Sequence, residues 1–302
     1  MSKTLKGVFP ALPTPFREDL SVDYAALKRV VEFAISAGAH GLLAVDMPGE
    51  FFTLTDDERR NCVEVILETV ADRVPVAVNV SAASEEQSFL FAKHAVHMGA
   101  AAIVTTPPFF RVQSPARIEK YFRQLNQVTD LPIIAQNSPE NLGTAIDVVL
   151  QEKLVRENVN VQYLMEECSA VQLLISDVLH RVQGIPNFEA VAVGSCCQMM
   201  LHDYYRGARL FVPQAEMTDL FVDLWDALES GDEQKAMDCY RIIAPVLMFG
   251  SAYQRSLSKE MLRRRGIIDT AAMRESSKPV FDEIQLQELD YWVEQLKPRF
   301  RV

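Results

Sequence analysis

Residues 36–45 read SAGAHGLLAV, and residues 97–106 read HMGAAAIVTT. In each, a glycine just past a helical run leads into a short, wholly apolar run. Glycine there supplies the left-handed residue that closes a helix, and an apolar run without alternation fits a strand buried on both faces. The two segments are the same junction, helix into strand, met twice. The alternation continues outward from them. Candidate strands fall at 7–12, 41–45, 75–80, 101–106, 132–137, 161–166 and 180–185, with an eighth somewhere in 194–201. Helical stretches with caps lie between. Thr55 and Glu58 have the spacing of a capping box, as do Ser84 and Gln87, and Ser114–Pro115 puts a cap before a first-turn proline. About eight βα units in roughly 200 residues predict a closed (β/α)8 TIM barrel. The other α/β reading, a doubly wound sheet, lacks its GxGxxG after the first strand.

From residue 213 onward the pattern is helical only, with a helix–helix turn at Ser230–Gly231–Asp232. The expected organisation is a barrel over 1–230 and a C-terminal helical region over 231–302, packed on it. The chain has 302 residues, 49% hydrophobic and 24% charged, which are ordinary globular values. A net charge of −11 argues against nucleic acid as a partner. No apolar run approaches the roughly 20 residues of a membrane span, so no membrane partner is expected. The first residues lack the apolar core of a secretory signal. Five cysteines, two of them adjacent (Cys196 and Cys197), read as reduced thiols, and a cytoplasmic location is expected.

In a barrel, chemistry gathers where strands end and the following loops begin. Those ends supply Asp46–Met47–Pro48–Gly49–Glu50, Asn79, Thr105–Thr106 with Phe109–Phe110–Arg111, Gln136–Asn137, Met165–Glu166–Glu167, and Gly184–Ile185–Pro186–Asn187. The set is polar, rich in carboxylates and free of histidine. It has no metal-ligand spacing, P-loop or GxSxG elbow, so neither metal nor cofactor is expected. Each member also has a plain reading. An acid pair after a strand serves as well as a solvated loop face or a helix first-turn charge. Asp46 reads equally as a turn cap, and Cys196–Cys197 as core.

These segments resemble the dihydrodipicolinate synthase / N-acetylneuraminate lyase superfamily of class I aldolases. GVFPALPTPF (7–16) is similar to its opening strand. GEFFTLTDDER (49–59) fits its G-E-[FY]-x-x-L-[TS]-x-x-E-R segment, the most specific match. VTTPPFF (104–110) and NSPENLG (137–143) resemble the stretches after strands four and five. The resemblance spans most of residues 4–300 and implies a homotetramer or a dimer. It also implies a reaction that opens with a lysine imine on a 2-keto acid, which requires a neutral amine. The aligned segment is Tyr163-Leu164-Met165-Glu166, with Met165 at the lysine position. The family's carboxylate-binding loop aligns with Asp46-Met47-Pro48-Gly49-Glu50, where both hydroxyl residues are replaced and Pro48 has no N–H. Its two tyrosines align with Gln136 and Phe110, and an arginine for a second carboxylate aligns with Asn141.

The scaffold therefore matches while the keto-acid chemistry does not. The expected function is lyase-like, on a small molecule, by non-covalent acid–base chemistry. Glu166 is the expected acid–base, in a pocket of Asp46, Met47, Phe110, Gln136, Asn137, Met165 and Gly184. The alternative is a catalytically silent member that binds a small ligand or a partner subunit. A metal-dependent site on Asp46, Glu50 and Glu166 is the weakest reading.

Overall fold

The computed structural model describes residues 4–168, 171–253, 255–275 and 281–302. In chain order its elements are β1 (Gly7–Val8), α1 (Tyr24–Ser36), β2 (Leu42–Ala44), α2 (Asp56–Val70), β3 (Val76–Asn79), α3 (Glu85–His97), β4 (Ala102–Thr105), α4 (Pro115–Val128), β5 (Ile133–Asn137), α5 (Pro139–Leu142), α6 (Val148–Glu157), β6 (Val161–Glu166), α7 (Val171–Val182), β7 (Ala190–Val193), α8 (Met200–Tyr205), β8 (Leu210–Phe211), α9 (Thr218–Ser230), α10 (Glu233–Tyr253), α11 (Arg255–Arg264) and α12 (Glu283–Leu296). The fold is a (β/α)8 barrel followed by helices. Two compact units divide the chain, one of residues 1–6 and 75–212, the other of residues 7–74 and 213–302.

In the first unit, β3 to β8 pair side by side, in chain order and all parallel. Their residues are buried almost throughout, which is why the sequence shows apolar runs without a period of two. Helix caps set the entries. Ser84 accepts from Gln87 N before α3, and Asp147 accepts from Leu150 N before α6. Gly99 follows α3 at φ +83°, a left-handed position that L side chains rarely adopt.

In the second unit, Ala11 bridges to Leu43 and to Gln214, both parallel. Thr55 and Glu58 form the reciprocal capping box of α2. Gly231, left-handed at φ +74°, closes α9 and lets α10 return against it. The expected helix–helix turn is there.

Two expected strands are corrected. Residues 180–185 are the end of α7 and its turn, and the strand lies at Ala190–Val193. Residues 194–201 are a short 3-10 turn and the start of α8, and the last strand is Leu210–Phe211. The run at 171–182 has helical periodicity with a buried Val171, Ile175, Val178 and Val182 stripe, so its apolar end imitates a strand. Leu210–Phe211 is too short to show any period.

Candidate functional site

Strand register decides which side chains meet. Asn79 pairs with Val104, Val104 with Ile134, Gln136 with Met165, and Met165 with Ala192. Paired residues in a sheet point to one face, and side chains alternate along each strand. Asn79, Gln136 and Met165 therefore share a face, and Thr106, Glu167 and Gly194 continue it past the strand ends. The opposite face carries Thr105, Asn137 and Glu166. Thr105 there bonds Tyr121 of α4 at 2.6 Å, which identifies the opposite face as the helix side.

On the inner face a polar chain runs in one direction. Ser81 N donates to Asn79 Oδ1 at 2.7 Å, Asn79 Nδ2 to Gln136 Oε1 at 3.4 Å, and Gln136 Nε2 to Glu167 Oε2 at 2.9 Å. Asn79 and Gln136 stand on β3 and β5 with β4 between them, so their contact crosses the inner face, as layers of a barrel interior do. The chain ends on a carboxylate acceptor. Gly194 is needed beside it, because a Cβ there would lie 1.9 Å from Glu167 Oε1. Met165 is fully buried in the same region. Thr106 is buried too, its N–H bonded to Ser81 Oγ at 2.9 Å, and its own hydroxyl has no hydrogen-bond partner. A buried hydroxyl in that state is available to a ligand.

Glu166 is placed differently from expectation. It lies on the helix side, where its Oε2 accepts from Asn137 Nδ2 at 2.8 Å, and Asn137 Oδ1 accepts from Ile146 N at 2.9 Å. Burial pushes the Glu166 carboxyl up to about 7, against the lowering effect of its bonds to Asn137 and Gln151. Of the expected pocket in this unit, Gln136 and Met165 come together, and Asn137 and Glu166 form a separate pair behind them. Phe110 is 75% exposed on the loop after β4. Gly184 lies in the turn after α7, before β7, at the opposite end of the strand from the polar chain. Both corrections follow from the misread strand or from loop placement. Glu167 is the residue the sequence reading passed over as a site residue. The two-residue alternation from Met165 would have found it.

In the second unit the 46–50 segment is a tight 3-10 turn. Gly49 N donates to Asp46 O and Glu50 N to Met47 O, so these amides are already used. Pro48 has none. Asp46 is buried and lies near enough to support the charge of Arg59. Glu50 and Lys259 form a fully buried ion pair at 2.6 Å. Glu50 Oε2 also accepts from Arg274 N and Glu275 N, and Lys259 Nζ donates to Ala272 O. Burial lowers the Lys259 amine to about 8, with Glu50 opposing the shift. Arg274 reaches both Glu58 oxygens at 2.7 Å, and Glu58 is lowered to about 2 by that bond. The Gly-Glu…Glu-Arg segment thus holds the 270–275 stretch in place. Among the described residues no group of three or more His, Cys, Asp or Glu side chains is placed to hold a metal ion.

A sequence profile of the Dihydrodipicolinate synthetase family matches residues 4–295. The chain belongs to that family. The L-2-keto-3-deoxyarabonate dehydratase of Azospirillum brasilense is 29% identical over 265 residues, 86% of this chain and 84% of its own. The 4-hydroxy-tetrahydrodipicolinate synthase of Salinibacter ruber is 30% identical over 179 residues, 59% of each chain. The crystal structure of dihydrodipicolinate synthase from Aquifex aeolicus has a TM-score of 0.90 at 22% identity, covering 99% of this chain and 100% of that one. This family member therefore has its relatives' barrel, and no described helix is long and apolar enough to cross a membrane.

Proposed function

We propose that this chain is a lyase that works without a lysine imine, with Glu167 as general acid–base on a small hydroxylated carbonyl compound. The observation that carries the reading is the Gln136–Glu167 bond on the face that Met165 shares. Met165 stands at the aligned lysine position, and a thioether cannot form an imine. Elimination of water needs none. A base takes a proton from the carbon next to the carbonyl, that C–H electron pair becomes the new C=C, and the hydroxyl on the following carbon departs with a proton. One positioned carboxylate can accept the first proton and return it to the leaving oxygen. Gln136 holds one Glu167 oxygen, and the unpartnered Thr106 hydroxyl offers the substrate a further bond. The dehydratase among the relatives supports elimination as the reaction class. The Gly49 and Glu50 amides are used within the 46–50 turn, which supports a substrate carboxylate bound away from it. Phe110 and Val112, apolar and each 75% exposed, support assembly as a homo-oligomer.

The test is dehydration of L-2-keto-3-deoxyarabonate, followed by NMR, in the native chain and in Glu167→Gln. The variant should lose about 10²–10⁴-fold in turnover while retaining affinity. Equal turnover in both would overturn the role of Glu167. Binding without turnover in the native chain would favour the catalytically silent reading.

A further inference from the structure

In the first unit a second cleft, of about 190 Å³, opens between the start of α7 and α8. It lies on the helix side of β7, since its wall includes Val193, which pairs with Glu166. By liquid volume it has room for about six waters, or for a small organic molecule. Val171, Val193 and Met199 make its apolar surface, and Gln172 and Asp203 give it polar atoms. Asp203 is the member without a plain structural reason. The buried residues of α8 are Met200, Leu201 and Asp203, and Asp203 is only 1% exposed. A carboxylate at a buried position is costly unless it is partnered. Gln172 Nε2 donates to Asp203 Oδ1 at 2.9 Å, and no other described side chain bonds or pairs with this carboxylate. Burial raises it to about 6, opposed by Gln172 and by the more distant charges of His202 and Arg206, so it is ionised above neutral pH. Arg206 is itself bonded to Ser176 Oγ at 3.0 Å. The open side of Asp203 is the cleft that it lines.

The lining decides the chemistry of the missing partner. No lining residue is cationic, so an anionic group has nothing to hold it there and Asp203 repels it. A buried carboxylate beside an apolar wall suits a cation carried on a short hydrocarbon stem. The net charge of −11 favours cations near the surface as well. We propose that this cleft binds a small primary ammonium compound, its nitrogen on Asp203 and its stem against Val171, Val193 and Met199. The ammonium donates to Asp203 Oδ2, the oxygen that Gln172 leaves open. Gly194 borders both the cleft and the Glu167 carboxylate, so the occupant lies beside the proposed acid–base. The inference goes beyond the lyase reading and stands without it.

The experiment needs no substrate. The probe is n-butylammonium, with 1-butanol and butyrate as neutral and anionic compounds of similar size. 15N NMR follows the side-chain amide of Gln172, assigned by its loss in Gln172→Met. In the native chain n-butylammonium should shift that signal saturably, and 1-butanol and butyrate should leave it in place. Asp203→Asn keeps an acceptor for Gln172 and removes the charge, so it should weaken n-butylammonium binding about tenfold or more. Equal affinity in Asp203→Asn, equal affinity of the native chain for 1-butanol, or no saturable shift in the native chain would each overturn the proposal. If Asp203→Asn does not fold, Met199→Trp takes its place, filling the cleft from an exposed position. It should abolish the shift, and an unchanged shift would equally overturn the proposal.

Discussion

Consecutive carboxylates at 166 and 167 have opposite fates because a strand turns successive side chains to opposite faces. Glu166 meets helix-side amides, and Glu167 meets Gln136 and the bare backbone of Gly194. Environments that separate neighbouring acids are how barrels assign acid–base roles. Two outcomes follow at this scale. Treatment with pyruvate and borohydride should add no mass to the chain, and Met165→Lys alone should not restore aldol turnover, because Gln136 and Phe110 supply no tyrosine hydroxyl. Intact-mass spectrometry after reduction checks the first, and pyruvate aldol assays check the second. Gly194→Ala should displace the Glu167 carboxylate, since the new Cβ would overlap it. Turnover should then fall toward that of Glu167→Gln, and native turnover in Gly194→Ala would show that the carboxylate works from another position.

Among the elements, the 270–275 stretch depends heavily on a single residue. Glu50 holds it by two backbone N–H groups and by Lys259. Removing one partner of a buried pair leaves an uncompensated charge and costs about 3–5 kcal/mol. Glu50→Gln should therefore lower the Tm and open the 270–275 stretch to proteases, read by calorimetry and limited digestion. Six of the eight strands are legible in the sequence, because a buried parallel strand is an uninterrupted apolar run and its flanking glycines and caps are local signals. The seventh and eighth were not. The end of α7 is apolar on its buried stripe, and Leu210–Phe211 is two residues long. The candidate site was half legible for a different reason. The residues at strand ends could be named from sequence, whereas facing follows from register, which lies in the pairing of distant segments. Gln136 and Met165 came together on one face, and Glu166 went to the other.

For the molecule as a whole, opposing groups set the dependence of stability on pH. The folded state raises Glu166 to about 7 and Asp203 and Glu216 to about 6, each mainly by burial. Groups raised in this way bind protons more tightly when folded. Their contribution is full below the unfolded values of about 4 and is lost as pH rises through about 6–7. Glu58 has the opposite sign, since its contribution is present above about 4.3 and is lost as pH falls toward about 2. Glu58 is only part-covered, with 22% of its side chain exposed, so solvent screening reduces its part. A net charge of −11 adds repulsion at the alkaline side. The Tm should peak near pH 5 and decline toward pH 8, and replacing the three raised acids by their amides should flatten that decline. A calorimetric pH series on both proteins checks it, and a peak at pH 8 in the native chain would contradict it.

The Glu50–Lys259 pair also bears on how the chain is made. The partners are 209 residues apart. A ribosome adding about 5–20 residues each second needs about 10–40 s to reach Lys259 after Glu50 has been made. Throughout that interval the nascent Glu50 has neither its lysine nor the 274–275 amides, and an unpaired carboxylate stays in water. The pair can form only once a segment near the end of the message has been translated. The last tie on the 46–50 turn is therefore set after four-fifths of the chain has been made.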